Sequence, residues 1–167
     1  LRHDANDDFQ DADTYGVAGS WVIPGLGARP HASFGTGATN PSFFEQFGFN
    51  PGTFVGNPSL LPEEAEGWDI GIEQTLLDGR LVLDLTYFES TLENEIFTAF
   101  GPPPGFLSTP QNRAMQSDRS GWEATFRVYP THTIDIVGSY TGLDATEPAG
   151  IEVRRPESQA GLDASWR

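Results

Sequence analysis

Three sets of side chains invite chemistry in this sequence: an acidic run, scattered carboxylate pairs and a crowd of loop phenylalanines. Asp4, Asn6, Asp7, Asp8, Asp11 and Asp13 offer the oxygen ligands that a hard cation such as calcium prefers. Phe9, however, stands where an EF-hand loop needs glycine, and Tyr15 where its bidentate glutamate belongs, so the run reads as a solvated acidic loop. Ser158, Ser165 and the histidines His3, His31 and His132 share no local motif, which leaves acyl transfer without a nucleophile–base pair. Glu63/Glu64 and Glu93/Glu95 fall in loops or at strand ends, with no burial to tune them for acid–base work. The chain has no cysteine, which removes thiolate catalysis, zinc–sulfur sites and disulfides. Its basic residues are all arginines, so no lysine is available for a Schiff base. The expectation is a non-enzyme with no catalytic residue, no metal site and no cofactor.

The phenylalanines are the better candidates. Phe43, Phe44, Phe47, Phe49 and Phe54 crowd one long loop, and Phe97, Phe100 and Phe106 lie in or beside another around Pro102-Pro103-Pro104. Such rings either pack large loops upon themselves or form a rim that captures a hydrophobic or planar small molecule. Phe43, Phe44, Phe47, Phe49, Phe54, Phe100 and Phe106 are the candidate ligand-binding residues. Nucleic acid is excluded as a partner, since a formal net charge of −15 repels phosphate.

The elements that carry these loops are strands. Apolar residues recur at every second position in Trp68-Ile70-Ile72, Leu81-Leu83-Leu85-Tyr87, Trp122-Ala124-Phe126-Val128, Ile134-Ile136 with Tyr140, Tyr15-Val17 with Trp21-Ile23, and Ala160-Leu162-Ala164-Trp166. A period of two gives each strand one greasy and one polar face. Segment 30–35 alternates more weakly, and no window has helical periodicity, so the chain reads as all-β. No apolar run reaches the roughly 18 residues of a membrane helix. The start, Leu1-Arg2-His3-Asp4, has neither an initiator methionine nor a signal pattern, as expected of a piece of a longer chain.

Connections alternate between short and long. Pro24-Gly25-Leu26-Gly27, Leu77-Asp78-Gly79-Arg80 and Pro130-Thr131-His132 are tight turns, with Asp-Gly the strongest hairpin signal. Between them run long stretches near 36–64, 98–118 and 145–154. Strands that cross a slab with one trimmed and one elaborated surface have this asymmetry, as outer-membrane barrels do. With long loops outside, Tyr15, Trp68, Tyr87, Trp122 and Tyr140 mark the outer strand ends, and Trp21 and Trp166 lie near the inner ends, all on the apolar parity. These are the expected membrane-interface aromatics. Asp69, Glu73, Asp84, Glu123, Arg127 and Asp135 share the opposite parity, as do Asp163 and Arg167, and suit a hydrated lumen better than a dry core.

These segments resemble a known family. Phe34-Gly35-Thr36-Gly37-Ala38-Thr39-Asn40-Pro41-Ser42-Phe43-Phe44-Glu45, Gly56-Asn57-Pro58-Ser59-Leu60-Leu61-Pro62-Glu63, Gly67-Trp68-Asp69-Ile70-Gly71-Ile72-Glu73-Gln74, Leu85-Thr86-Tyr87-Phe88, Asn94-Glu95-Ile96, Arg119-Ser120-Gly121-Trp122-Glu123, Ser139-Tyr140-Thr141 and Arg155-Pro156 are similar, in order and spacing, to TonB-dependent outer-membrane receptors. The resemblance implies an antiparallel up-and-down transmembrane β-barrel segment, about eight strands from the C-terminal half of a larger plugged barrel, with the plug domain absent. It implies import of a scarce nutrient such as a ferric siderophore or cobalamin, in the outer membrane of a Gram-negative bacterium, with the long loops extracellular. Implied partners are outer-membrane lipid, the plug of the same parent chain facing the polar residues, the TonB energy-coupling complex acting through that plug, and the nutrient itself. Two alternatives stay open on residues alone: a self-contained eight-stranded outer-membrane barrel with a structural or adhesive role, and a soluble β-sandwich that binds carbohydrate.

Overall fold

A computed structural model describes residues 1–5, 11–147, 150–151 and 156–166. Asn6, Asp7, Asp8 and Phe9 of the acidic region, and Arg155 and Arg167, lie outside the described residues.

The chain runs β1 (Arg2–Asp4), β2 (Ala12–Thr14), β3 (Gly16–Ser20), β4 (Ala28–Thr39), α1 (Phe43–Phe47), β5 (Phe49–Asn50), β6 (Phe54–Val55), β7 (Glu63–Leu76), β8 (Leu81–Glu93), β9 (Ile96–Phe100), β10 (Ser108–Asn112), β11 (Ser117–Thr131), β12 (Ile134–Glu147), β13 (Gly150–Ile151) and β14 (Ser158–Trp166). The main sheet is antiparallel and follows chain order, β3-β4-β7-β8-β11-β12, with β13 and β14 both pairing with β12. It is thus a meander of long strands, with β13 a two-residue piece at one rim. β7, at 14 residues, is longer than the roughly 9–11 residues that a tilted strand needs to cross a bilayer.

The alternation read from the sequence sets the register. Ile72 lies opposite Leu85, Leu85 opposite Ala124, and Ala124 opposite Tyr140, which lies opposite Ala160. Phe34 extends this face between Val17 and Trp68. Every apolar run therefore falls on one face of a single layer. That face is uncovered: Ile70 is 56% exposed, Leu85 46% and Trp122 52%. Among the described residues the buried apolar side chains are Ala28, Leu60, Ala145 and the prolines Pro41, Pro62 and Pro110, none of them on this face's apolar runs. A β-sandwich needs a second layer on this face, and the described residues supply none. Nor is the layer closed, since β3 and β14 pair only with β4 and β12. A self-contained eight-stranded barrel needs that closure.

The turns between strands are short where the sequence placed them. At the β7–β8 connection Leu77 and Asp78 have φ of 54° and 53°, and Gly79 has 86°. Asp and Gly tolerate this left-handed region, which is why Asp-Gly serves here. Arg80 N–H then closes the turn on the Leu77 carbonyl at 3.1 Å.

The long connections are not irregular throughout. α1 starts at a capping box: Ser42 Oγ accepts from Glu45 N–H, while the Glu45 carboxylate accepts from Ser42 N–H at 2.7 Å. This turn and a half of helix is a local cap within a chain that is all-β, as its periodicity indicates. The short strands β5, β6, β9 and β10 form a second sheet in the order β5-β6-β10-β9, which joins two loops distant in sequence.

Candidate functional site

Two places concentrate polar and aromatic chemistry: the polar face of the main sheet, and the cap that the second sheet makes over one rim.

On the polar face, β4, β7 and β8 bring their charged positions together. Arg29 and Glu73 are register partners, and the guanidinium forks the carboxylate with Nε–Oε1 at 3.1 Å and Nη2–Oε2 at 2.8 Å. His31 Nε2 lies 3.0 Å from Asp84 Oδ2, and its Nδ1 is 4.0 Å from Asp69 Oδ1. The Ser33 hydroxyl donates to Asp69, and Thr86 donates to the other oxygen of Asp84 at 2.9 Å. Towards the short-turn rim Arg127 forks Asp135, with its Nε bond at 3.0 Å. Glu123, between Thr86 and Thr141, has no ion-pair partner among the described residues. A recess of about 430 Å³ opens beside Arg29, His31, Asp69 and Asp84. Of the polar-face residues that the sequence marks, Asp69, Glu73 and Asp84 are thus brought together, Arg127 and Asp135 form a separate pair, and Glu123 stands apart. The sequence marks His31 and Ser33 only as the polar positions of the weak alternation in 30–35, and does not mark Arg29. Their signal was the alternation with Ala28, Pro30 and Ala32, weak because small residues occupy the other face.

The cap is tied by main-chain and amide bonds. Asn112 Nδ2 donates to the carbonyls of Leu61 at 2.9 Å and Asn94 at 2.6 Å, and its Oδ1 accepts from Leu61 N–H at 2.8 Å. Asn57 Nδ2 donates to the Pro110 carbonyl at 3.1 Å, and Glu63 Oε1 accepts from Ile96 N–H at 2.7 Å. Glu95 gathers Ser117 Oγ at 2.6 Å, Arg113 Nε at 3.1 Å and Arg119 Nη2 at 3.9 Å. Arg113 also lies 5.0 Å from the centroid of the Phe97 ring. The candidate phenylalanines divide. Phe44 stacks on Phe54 with centroids 4.6 Å apart, and Phe43 tilts against Phe47 at 5.1 Å. Phe100 and Phe54 lie in one cross-strand row, on either side of Ser108. Phe43, Phe49 and Phe100 are exposed, as are Phe44, Phe47 and Phe106.

On either side of the acidic run, β1 and β2 pair antiparallel. Arg2 Nε lies 2.8 Å from Asp4, and His3 Nδ1 lies 2.8 Å from Asp13. The Asp13 carboxylate, bonded to the ring, raises His3 above the ordinary imidazole value. No cluster of histidine and carboxylate side chains among the described residues is placed to hold a metal ion.

On the apolar face, the expected interface aromatics fall where their parity puts them. Tyr87 lies between Trp68 and Trp122, with centroids 5.6 and 4.9 Å away, and Tyr15 packs on Phe34 at 5.8 Å. Tyr140 and Trp166 stay on the same face in β12 and β14, and Trp21 continues it beyond β3, its N–H bonded to the Pro30 carbonyl.

A family model for the β-barrel of TonB-dependent-receptor-like proteins matches residues 1–167. The chain belongs to the TonB-dependent receptor β-barrel family. The metal-pseudopaline receptor CntO of Pseudomonas aeruginosa is 31% identical over 96 residues, which is 58% of this chain and 13% of that receptor. The siderophore receptor PirA of P. aeruginosa superposes with a TM-score of 0.77 at 18% identity, over 96% of this chain and 32% of its own. The ferric enterobactin receptor PfeA of the same species gives 0.75 at 16% identity, over 96% and 26%. The Serratia marcescens hemophore receptor HasR, solved with its hemophore and heme, gives 0.69 at 17% identity, over 93% and 28%. This TonB-dependent receptor segment thus spans about a third or less of the receptors it matches, and its open layer is a stretch of barrel wall.

Proposed function

We propose that this chain forms wall and outer loops of an outer-membrane TonB-dependent receptor that captures a scarce nutrient and imports it. The nutrient class that the relatives' names favour is a chelated metal or a similar small complex, such as a ferric siderophore or cobalamin. The apolar face meets lipid, the long loops lie outside the cell, and the Arg29–Glu73 and His31–Asp84 face lines the lumen. There it meets the plug domain of the parent chain, through which the TonB complex supplies energy.

The observation that carries this reading is the two-sided single layer. Large apolar side chains stand uncovered on one face, while the other is an ion-paired hydrophilic wall. Water on both faces would leave that apolar band without a partner, whereas a bilayer outside and a polar filling inside satisfy both. In the loops, the exposed rings of Phe43, Phe47, Phe49 and Phe100 with Phe44, Phe54 and Phe106 supply the capture surface.

Uptake of radiolabelled metal–chelator complexes by metal-starved cells tests this. Deleting the full-length receptor should abolish uptake of one complex, and Phe43→Ala with Phe100→Ala should raise its half-saturating concentration while leaving barrel assembly intact. Unchanged uptake of every chelate after deletion would overturn the metal-import reading.

A further inference from the structure

One carboxylate fixes the base of the β9–β10 hairpin. Asn94, with φ of 54°, turns the chain out of β8, and Glu95 follows as the first rung, its carbonyl accepting from Arg113 N–H at 2.8 Å. The Glu95 side chain reaches back to β11, the strand with which its own β8 pairs. Its Oε2 accepts from Ser117 Oγ at 2.6 Å and lies 3.1 Å from Arg113 Nε, while Oε1 lies 3.9 Å from Arg119 Nη2. Ser117 and Arg119 stand opposite Leu92 and Ser90, in the outermost rungs of the wall. A single side chain thus ties both legs of the hairpin to β11. It does so largely out of water, with Glu95 17% exposed and Ser117 buried, so these charges are less screened than those of the open polar face. On the other side Glu63, the first residue of β7, accepts the Ile96 N–H at 2.7 Å. The amide bonds of Asn57 and Asn112 join cap segments to one another, whereas Glu63 and Glu95 join the hairpin to wall strands.

The far end of the hairpin is open. Phe100 is 73% exposed, and its cross-strand row runs through Ser108 to Phe54, the ring that stacks on Phe44. Glu95 and Phe100 are about 16 Å apart along the strand, so a tilt of about 10° at the base would carry the Phe100 ring about 3 Å. We propose that Glu95 is a positioning residue for nutrient capture: it holds the hairpin at one tilt to β11 and so sets where the Phe100 ring meets the incoming complex. The inference rests on the capture reading above, in which the exposed loop rings form the binding surface. Charge and length both enter. A two-branched carboxylate accepts the Ser117 hydroxyl and faces two guanidiniums at once. Glutamine keeps the reach without the charge, and aspartate keeps the charge one methylene short.

The test uses the full-length receptor in metal-starved cells and the radiolabelled metal–chelator complex whose uptake its deletion abolishes. Glu95→Gln should raise the half-saturating concentration about fivefold, with maximal uptake per folded receptor unchanged when heat-modifiable mobility counts the folded barrels. Glu95→Asp should act likewise, and Ser117→Ala, which removes only a hydroxyl, should give a smaller rise. In a Phe100→Ala background Glu95→Gln should add less than about twofold, because its effect passes through that ring. Full additivity of the two substitutions would overturn the proposal. So would a fall in folded receptor with the half-saturating concentration unchanged, the mark of a purely structural role. Deletion that abolishes uptake of no complex sinks the capture reading beneath it; uptake unaltered by Glu95→Gln sinks the positioning role alone.

Discussion

Arg29 and Glu73, 44 residues apart, face each other across β4 and β7 and share a two-pronged ion pair. Their side chains are 38% and 30% exposed, so water screens much of the Coulomb attraction. A double-mutant cycle with Arg29→Met and Glu73→Gln in the full-length receptor should give a small favourable coupling by denaturant unfolding in detergent. A coupling near zero would mean that the fork adds nothing to the wall.

Leu83 and Asp84 are chain neighbours with opposite duties. Leu83 stands opposite Gln74 and Phe126 on the apolar face, while Asp84 bonds His31 and Thr86 on the polar one. Leu83→Arg should cost about 2–4 kcal/mol near mid-bilayer and block assembly, whereas Asp84→Arg should leave the barrel inserted. Membrane fractionation and heat-modifiable mobility read the difference. Equal effects would reverse or abolish the two-sided assignment.

The β1–β2 hairpin should depend on pH through His3. Its hydrogen bond to Asp13 raises the imidazole above the ordinary value of 6.5. A raised folded-state pKa gives a contribution fully present below 6.5 and lost as pH rises through the higher folded value. Amide exchange across residues 2–4 and 12–14 should therefore quicken from pH 6 towards pH 9 beyond its intrinsic rise, and His3→Gln should flatten that excess.

Gly56 is the tight point of the cap. A Cβ there would lie 2.6 Å from the Gln46 carbonyl oxygen and 2.9 Å from Gly48 N, both backbone atoms with little room to yield. Gly56→Ala should therefore destabilise the cap locally by about 1–3 kcal/mol. Proteolysis within 40–62 should accelerate while the barrel keeps its mobility. An unchanged cleavage rate would show that the loop yields without cost.

The main sheet was legible in the sequence because each strand announces its own faces. Leu81-Leu83-Leu85 and Trp122-Ala124-Phe126 need no distant partner to show which side is greasy, and Asp78-Gly79 marks the turn between neighbours. β4 was harder to see, since Ala28, Pro30 and Ala32 contribute little apolar contrast to Arg29, His31 and Ser33. The cap hid for a different reason. The parallel bridge of Ser108 to Phe54 and the Asn112 bonds to Leu61 join segments about 50 residues apart, and neither segment has a periodic pattern to reveal its mate. The Ser42/Glu45 capping box could have been found, because a serine followed three residues later by glutamate is a local signature. It was masked by the phenylalanines it carries, which read as a ligand rim before they read as a helix.

The Trp68, Tyr87 and Trp122 contacts have a consequence for how the strands find their rungs. Alternation tells a strand which side to show but is indifferent to sliding by two positions. Such a slide of β8 would part Tyr87 from Trp122 and bring Leu85 or Glu89 opposite that indole in its stead. The rings act as a vernier, choosing one height among several that the hydropathy code alone would accept.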